Sequence, residues 1–327
     1  MCLILPEVQV QEGKLLAHAL KFRVHVGLVR IIVIMLFRLR MTVDEAIIAY
    51  TRLSVDVFSK KTILSSMKTN ASLLENTIAT VIRTSLNTGE TQARKVRMLD
   101  GGPKWRVAHS YLLTLTDHFH SFIIASTAKN LLVPSLFRTY ISPRHSNYDC
   151  TIVEAIRATT AEEPFFLSIN IGAANVKETF IHVGSHIANP IKAVFEEAEL
   201  IFPGRAISCM VSIGSGLQGI TGFKTMSTTE HARVLKDVMN DSERTSEEVA
   251  KKLSDKDTFY CRLNIDSGLE DIGFGDWERL GDVKTHTGKY LEKYDVSKMV
   301  SKAVQALNRR AGALYLSLIN KMLLISV

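Results

Sequence analysis

Cysteine is scarce in this chain of 327 residues: only Cys2, Cys150, Cys209 and Cys261 occur, and they are far apart. They form no Cys-x-x-Cys pair and no dense framework, which argues against zinc knuckles and disulfide-stapled scaffolds. Cys209 lies in a strand pattern, where a cysteine is usually a small buried hydrophobe. This cysteine usage favours a reducing, cytoplasmic setting.

Long apolar runs and long blocks of one charge are also missing. The apolar run at residues 31–37 is far shorter than the roughly 20 residues of a membrane span, and Arg30 and Arg38 bracket it. We therefore predict a buried helix there. No more than two basic residues are consecutive and no nucleic-acid-binding motif occurs, so we expect no nucleic-acid partner.

What the chain does contain is enough apolar sequence for a sizeable core. Hydrophobic residues make up 46% and charged residues 22%, which excludes wholesale disorder. The net charge of +7 would suit an anionic partner such as a phospholipid surface, but ordinary solubility is the better explanation of it. We find no internal repeat and no low-complexity linker.

Helix-capping signals locate several elements. Thr42 with Glu45 and Thr151 with Glu154 have the spacing of a capping box, and Pro190 suits the first turn of a helix. Further helices are predicted at residues 73–86, 225–256 and 282–310. Strands are predicted within residues 118–125, up to residues 212–213 before a glycine turn, and at residues 259–265.

Several segments, in order, resemble the patatin-like phospholipases, in particular the fungal members. They include Arg38-Leu-Arg-Met-Thr-Val-Asp-Glu45, Leu136-Phe-Arg-Thr-Tyr140, Thr151 to Thr160, Asn189-Pro-Ile191, Ser212-Ile-Gly214 and Gly268-Leu-Glu-Asp-Ile-Gly273. The resemblance covers roughly residues 30–295. Together with the element pattern it predicts an α/β fold, with a mostly parallel sheet flanked by helices and a helical C-terminal extension.

The resemblance implies a lipid acyl hydrolase that acts on phospholipid or other lipid esters without a metal or cofactor. Its serine nucleophile stands in a Gly-x-Ser-x-Gly turn, an aspartate in an Asp-Gly-Gly motif is the base, and a glycine loop binds the oxyanion. This chain departs from all three motifs. The ungapped nucleophile position falls on Gly27 and the base position on His182, and only Gly13 precedes residue 25 where the glycine loop belongs.

A glycine supplies no nucleophile, so we predict a weak or inactive hydrolase. Two serines are candidate substitutes. Ser185 lies between His182 and His186, and Ser215 lies between two glycines after a strand. A polar loop and a glycine turn explain the same residues without catalysis.

Two other motifs have structural explanations. The segment Gly214-Ser-Gly-Leu-Gln-Gly219 matches a dinucleotide fingerprint, but no second strand ending in an acidic residue follows it. His182 and His186 have the i, i+4 spacing of metal ligands, but the nearby glycine and proline favour a loop. We predict no metal and no cofactor. Four further residues of the resemblance, Arg138, Arg157, Asn189 and Pro190, are predicted to support the fold.

We expect residues 1–30 to be a degenerate N-terminal segment, residues 31–225 the patatin-like core, and residues 226–327 a mainly helical part of the same domain. The alternative function is a non-catalytic lipid- or protein-binding module in peripheral contact with anionic membranes, for which the basic segments 13–41 and 282–310 are suited. The sequence leaves the oligomeric state open.

Overall fold

The structure is a computed structural model that describes residues 2–3, 26–58, 66–99, 120–162, 165–173, 175–182, 189–216, 242–269, 272 and 276–313. The chain divides into two compact units. The first unit is residues 27–186, and the second is residues 187–327 together with residues 1–26. The domain limits expected at residues 30 and 225 stay a prediction.

The helices of the first unit begin with a buried one. Helix α1 (Val26–Val33) runs into a π-helical turn (Ile34–Arg38), and every residue from 30 to 39 is buried, as predicted for the apolar run. The remaining helices are α2 (Val43–Phe58), α3 (Met67–Leu86), α4 (Glu90–Ala93) and α5 (Ile152–Thr160).

Side-chain caps explain where these helices start. The Glu45 amide donates to Oγ1 of Thr42 at 3.2 Å while the Thr42 amide donates to Oε2 of Glu45 at 2.8 Å. Thr151 and Glu154 form the second predicted capping box. Helix α3 starts earlier than predicted because Ser66 caps it by accepting a hydrogen bond from the Thr69 amide.

A four-stranded sheet completes the first unit. Its order is β3-β2-β5-β4, with strands β2 (Phe122–Thr127), β3 (Asn130–Arg138), β4 (Ile169–Ala173) and β5 (Val176–Ile181). The first four residues of β2 are completely buried, so this inner strand is part of the unit's hydrophobic core. The strand predicted within residues 118–125 is confirmed, although β2 extends two residues further.

The second unit is built on a smaller sheet of order β1-β6-β7. Its strands are β1 (Cys2–Leu3), β6 (Cys209–Ile213) and β7 (Phe259–Leu263), and its helices are α6 (Ile191–Ile201), α7 (residues 242–253), α8 (Leu280–Glu292) and α9 (Tyr294–Ala313). Strand β6 is buried throughout, and Cys209 is 1% exposed, as predicted for a small hydrophobe. Helix α6 begins directly after Pro190.

The α/β class is confirmed, but the described strands differ from the expected mostly parallel sheet. Among them only β6 and β7 pair in parallel, while the four-stranded sheet is antiparallel throughout. The reason is the length of the connections. Two residues separate β2 from β3 and two separate β4 from β5, and such short links allow only antiparallel hairpins.

Candidate functional site

Gly27, at the expected nucleophile position, lies in the first turn of helix α1. Arg30 follows three residues later, so the two positions are neighbours on one face of the helix. A side chain in a helix leans toward the preceding turn, and the Arg30 side chain therefore extends over the turn that contains Gly27.

The Arg30 side chain is 0% exposed and is held by one edge of its guanidinium group. Its Nη1 donates to the Ile124 carbonyl at 2.9 Å and to Oγ1 of Thr159 at 2.6 Å. A third, longer contact of 3.3 Å joins Nη1 to the Thr159 carbonyl. Strand β2 and helix α5 thus fix the arginine through a backbone group and a hydroxyl.

The other edge of the Arg30 guanidinium has no such partners. Its Nε and Nη2 are buried and have no hydrogen-bond partner in the structure. Burial lowers the pKa of Arg30 to about 10, while the negative charge of Glu162 raises it. The side chain therefore remains a cation at neutral pH, and burying a cation is costly unless an anion compensates it.

His182, at the expected base position, follows the last residue of strand β5 and contacts the same cluster. Its Nδ1 lies 2.7 Å from the Thr159 carbonyl and 3.3 Å from Nη1 of Arg30. The carbonyl can only accept, so at the shorter contact Nδ1 donates, and the longer contact with the arginine is then not a hydrogen bond. Its Nε2 lies 3.6 Å from Oε2 of Glu162. Both ring nitrogens face groups of helix α5 and its C-terminal end.

We call these residues the Arg30 cluster: Arg30, Thr159, Glu162 and His182, with Gly27 one helical turn away. His182 belongs to this cluster and Gly27 lies one helical turn from Arg30, but neither position carries a group placed to act. A buried cation and an imidazole with its proton on Nδ1 can hold an anion. They cannot attack an ester without a nucleophile.

Of the candidate substitutes, the structure describes only Ser215. Ser185 and His186 lie outside the described residues. Ser215 is half-buried in a turn of the second unit, where the Gly216 amide donates to Oδ1 of Asn264 at 2.7 Å. Ser215 therefore belongs to a different unit from Gly27 and His182.

A second polar cluster surrounds that turn at the carboxyl ends of the parallel strands β6 and β7, where α/β proteins often bind ligands. Here, however, the polar groups bind one another. Arg262 donates to Oε1 of Glu243, to Oγ of Ser212 and to Oγ of Ser242, each at 2.8 Å. Asn264 donates to the same Glu243 oxygen at 3.1 Å. This saturation indicates a structural role.

Four residues were predicted to support the fold: Arg138, Arg157, Asn189 and Pro190. Their burial and hydrogen bonds fit that role. Arg157 is 2% exposed by its side chain and donates to Oε1 of Glu75 at 3.1 Å and to the Leu167 carbonyl at 2.7 Å. Burial lowers the pKa of Arg157 and Glu75 raises it. Asn189 accepts from the Ile191 amide at 3.3 Å, just before helix α6 and its N-cap residue Pro190. Arg138 is buried at the end of β3.

Within the part of the chain that the structure describes, no three metal-ligating side chains come together, and no helix has both the length and the apolar character to cross a bilayer. No protein-family model matches the chain, and no curated protein matches it significantly.

Sequence reasoning missed the Arg30 cluster except for its histidine. One signal was present: Arg30 borders a run of seven apolar residues that was predicted to be buried, and a charge beside such a run is buried with it. Thr159 and Glu162 carried no comparable signal, because their roles depend on the packing of helix α5 against strand β2.

Proposed function

We propose that this chain is a relative of the patatin-like lipid acyl hydrolases that binds lipid esters but no longer hydrolyses them. The family's mostly parallel sheet is part of the same proposal. The described strands contribute one parallel pair to it, β6 with β7. The positions that would carry the nucleophile and the base are Gly27 and His182.

One observation supports the proposal most strongly. Gly27 and His182 are 155 positions apart in the sequence, yet Arg30, one turn from Gly27, has its Nη1 3.3 Å from Nδ1 of His182. This contact supports the proposal because it joins the helix that carries Gly27 to the residue that follows strand β5. In this proposal activity is lost because a glycine and a histidine replace the serine and the aspartate.

The direct test is release of fatty acid from phospholipid and galactolipid micelles by the full chain. Expected turnover is at least about 10⁴-fold below that of an intact serine hydrolase, the usual cost of losing such a group. The double variant Ser185→Ala/Ser215→Ala is the matched control and should give the same background rate. Turnover by the natural chain that this variant abolishes would contradict the proposal.

The alternative, a non-catalytic module at anionic membranes, is favoured by a separate observation in the second unit. Helices α8 and α9 expose four lysines: Lys284, Lys289, Lys298 and Lys302. Lys293 stands between the two helices in an ion pair with Asp266. Lys298 and Lys302 stand one turn apart on α9 and line a groove of about 500 Å³ along β7. Lysines on one surface attract anionic lipids by about 1 kcal/mol each.

Charge reversal tests this alternative. Lys298→Glu/Lys302→Glu should lower co-sedimentation with phosphatidylserine vesicles at least about tenfold, because two attractive charges become repulsive. The control Lys129→Glu/Lys177→Glu changes the net charge equally at two exposed lysines of the first unit and should leave binding nearly unchanged. Equal losses in the two variants would show attraction to net charge rather than to the α9 surface.

A further inference from the structure

Strand β4 lies at one edge of the four-stranded sheet, and among the described strands it pairs only with β5. Thr179 of β5 shows which way the backbone groups of β4 point. Its carbonyl accepts from the Ala128 amide at 2.8 Å, on the side of β5 that faces away from β4. Asn170 lies directly opposite Thr179, so these two residues form a non-hydrogen-bonded pair and the backbone N–H and C=O of Asn170 point outward. Directions alternate along a strand, so Gly172 presents its groups on the same outer side.

This outer side of β4 is accessible and unprotected. Asn170 and Gly172 are exposed, and among the described residues their outward backbone groups have no hydrogen-bond partner. Proteins usually protect an edge strand with a charge, a proline or a bulge, since an open edge is a template for another strand. The five residues of β4 include no charge and no proline, and they pair with β5 without a register shift. The opposite edge strand, β3, has Pro134 and a register shift against β2.

The open edge is complementary to itself. A two-fold axis at Ile171 places Asn170 opposite Gly172 of a second copy, and Gly172 opposite Asn170 of that copy. Both pairs then exchange backbone hydrogen bonds in both directions. Each asparagine side chain faces a glycine, which leaves room for it. Identical strands do not repel each other here, because β4 carries no charge.

The apolar face of the hairpin favours the same pairing. Ile169, Ile171 and Ala173 lie on one face of β4, and Val176 lies directly opposite Ala173 on that face. Ile171 is buried, but Ala173 is exposed and Val176 is 75% exposed, so the apolar face extends beyond the core. In the two-fold arrangement Ala173 lies opposite Ile169 of the second copy. The pairing therefore covers part of this apolar surface as well as the backbone edge.

We propose that two copies of this chain associate through β4, antiparallel about a two-fold axis at Ile171, and so join their four-stranded sheets. The assembly closes at two copies, because each β4 edge is used once and Pro134 blocks pairing along β3. The contact is short, so the dimer is weak, with a Kd of about 0.1–1 mM. This inference goes beyond the proposed function and holds whether or not the chain binds lipid.

The test is sedimentation equilibrium of the full chain from about 10 μM to about 1 mM, a range that brackets the expected Kd. The natural chain should pass from monomer to dimer. Asn170→Lys should weaken the dimer at least about tenfold, because it places two like charges in a short interface. The matched control is Asn130→Lys, the same substitution at an exposed residue of β3, and it should dimerise as the natural chain does.

Hydrogen exchange on the natural chain locates the interface without a substitution. The amides of Asn170 and Gly172 should exchange about two- to fivefold more slowly at about 1 mM than at about 10 μM, in proportion to the dimer formed. The Asn130 amide should exchange at the same rate at both concentrations.

Three results would overturn the proposal. The first is a natural chain that stays monomeric at about 1 mM, including one whose β4 amides are protected only by an added strand peptide such as acetyl-Thr-Val-Thr-Val-Thr-amide. That peptide result would assign the edge to a different protein. The second is a dimer that both lysine variants weaken equally, and the third is a dimer that leaves exchange at Asn170 and Gly172 unchanged.

Discussion

Gly214→Ala should lower the free energy of unfolding by about 3 kcal/mol, because a methyl group has no room there. A Cβ at Gly214 would overlap Oδ1 of Asn264 and lie 3.0 Å from Nη2 of Arg262. Neither side chain can move away without breaking hydrogen bonds. Asn264 is tied to the Gly216 amide and to Glu243, and Arg262 is tied to Glu243 and to two serines.

The matched control is Gly281→Ala in helix α8. A Cβ at Gly281 meets nothing within 4 Å, and its backbone is helical, so alanine should raise stability by about 0.5–1 kcal/mol. Urea titrations of the two variants should therefore move the midpoint in opposite directions. A Gly214→Ala midpoint within experimental error of the natural chain would refute the saturated-cluster account.

Thr159→Val should cost roughly 2–3 kcal/mol, because it removes the shortest hydrogen bond to a buried cation. The Thr159 hydroxyl is fully buried, accepts from Arg30 Nη1 at 2.6 Å and donates to the Ile124 carbonyl at 2.7 Å. Valine has nearly the same shape, so the loss measures the hydrogen bonds rather than a cavity.

The next residue of the helix provides the control. Thr160 is 3% exposed, but its hydroxyl donates back within its own helix, to the Ile156 carbonyl at 2.8 Å and the Arg157 carbonyl at 3.4 Å. Thr160→Val should therefore cost less than about 1 kcal/mol, since such local bonds add little to helix stability. Chemical denaturation gives the free energy of unfolding of both variants. Equal decreases in the two would mean that Thr159 does not support Arg30.

The local chemistry of the sequence predicted the elements well. The capping boxes at Thr42 and Thr151 and the turn beginning at Pro190 depend on residues within one helical turn, and all three begin helices as predicted. The buried run before residue 39 followed from its composition alone. Such features are set by neighbours in the chain, so a single sequence contains them.

Strand direction and the site depended on contacts between distant segments. Antiparallel pairing of β2 with β5 joins residues more than 50 positions apart, and no local pattern specifies it. The positions Gly27 and His182 came from the family resemblance, whereas the contacts of Arg30 arise from the packing of β2, α5 and the residue after β5. The partners of a buried charge come from distant segments, so the sequence around Arg30 does not reveal them.

The central proposal is that this chain keeps the scaffold of a lipid hydrolase but has no serine that attacks an ester. Its most direct test is intact-mass measurement of the folded full chain after treatment with a long-chain fluorophosphonate, with an active serine lipase as the positive control. The account predicts an unmodified mass while the lipase gains one adduct. A stoichiometric adduct on a single serine of the folded chain, not formed after denaturation, would contradict it.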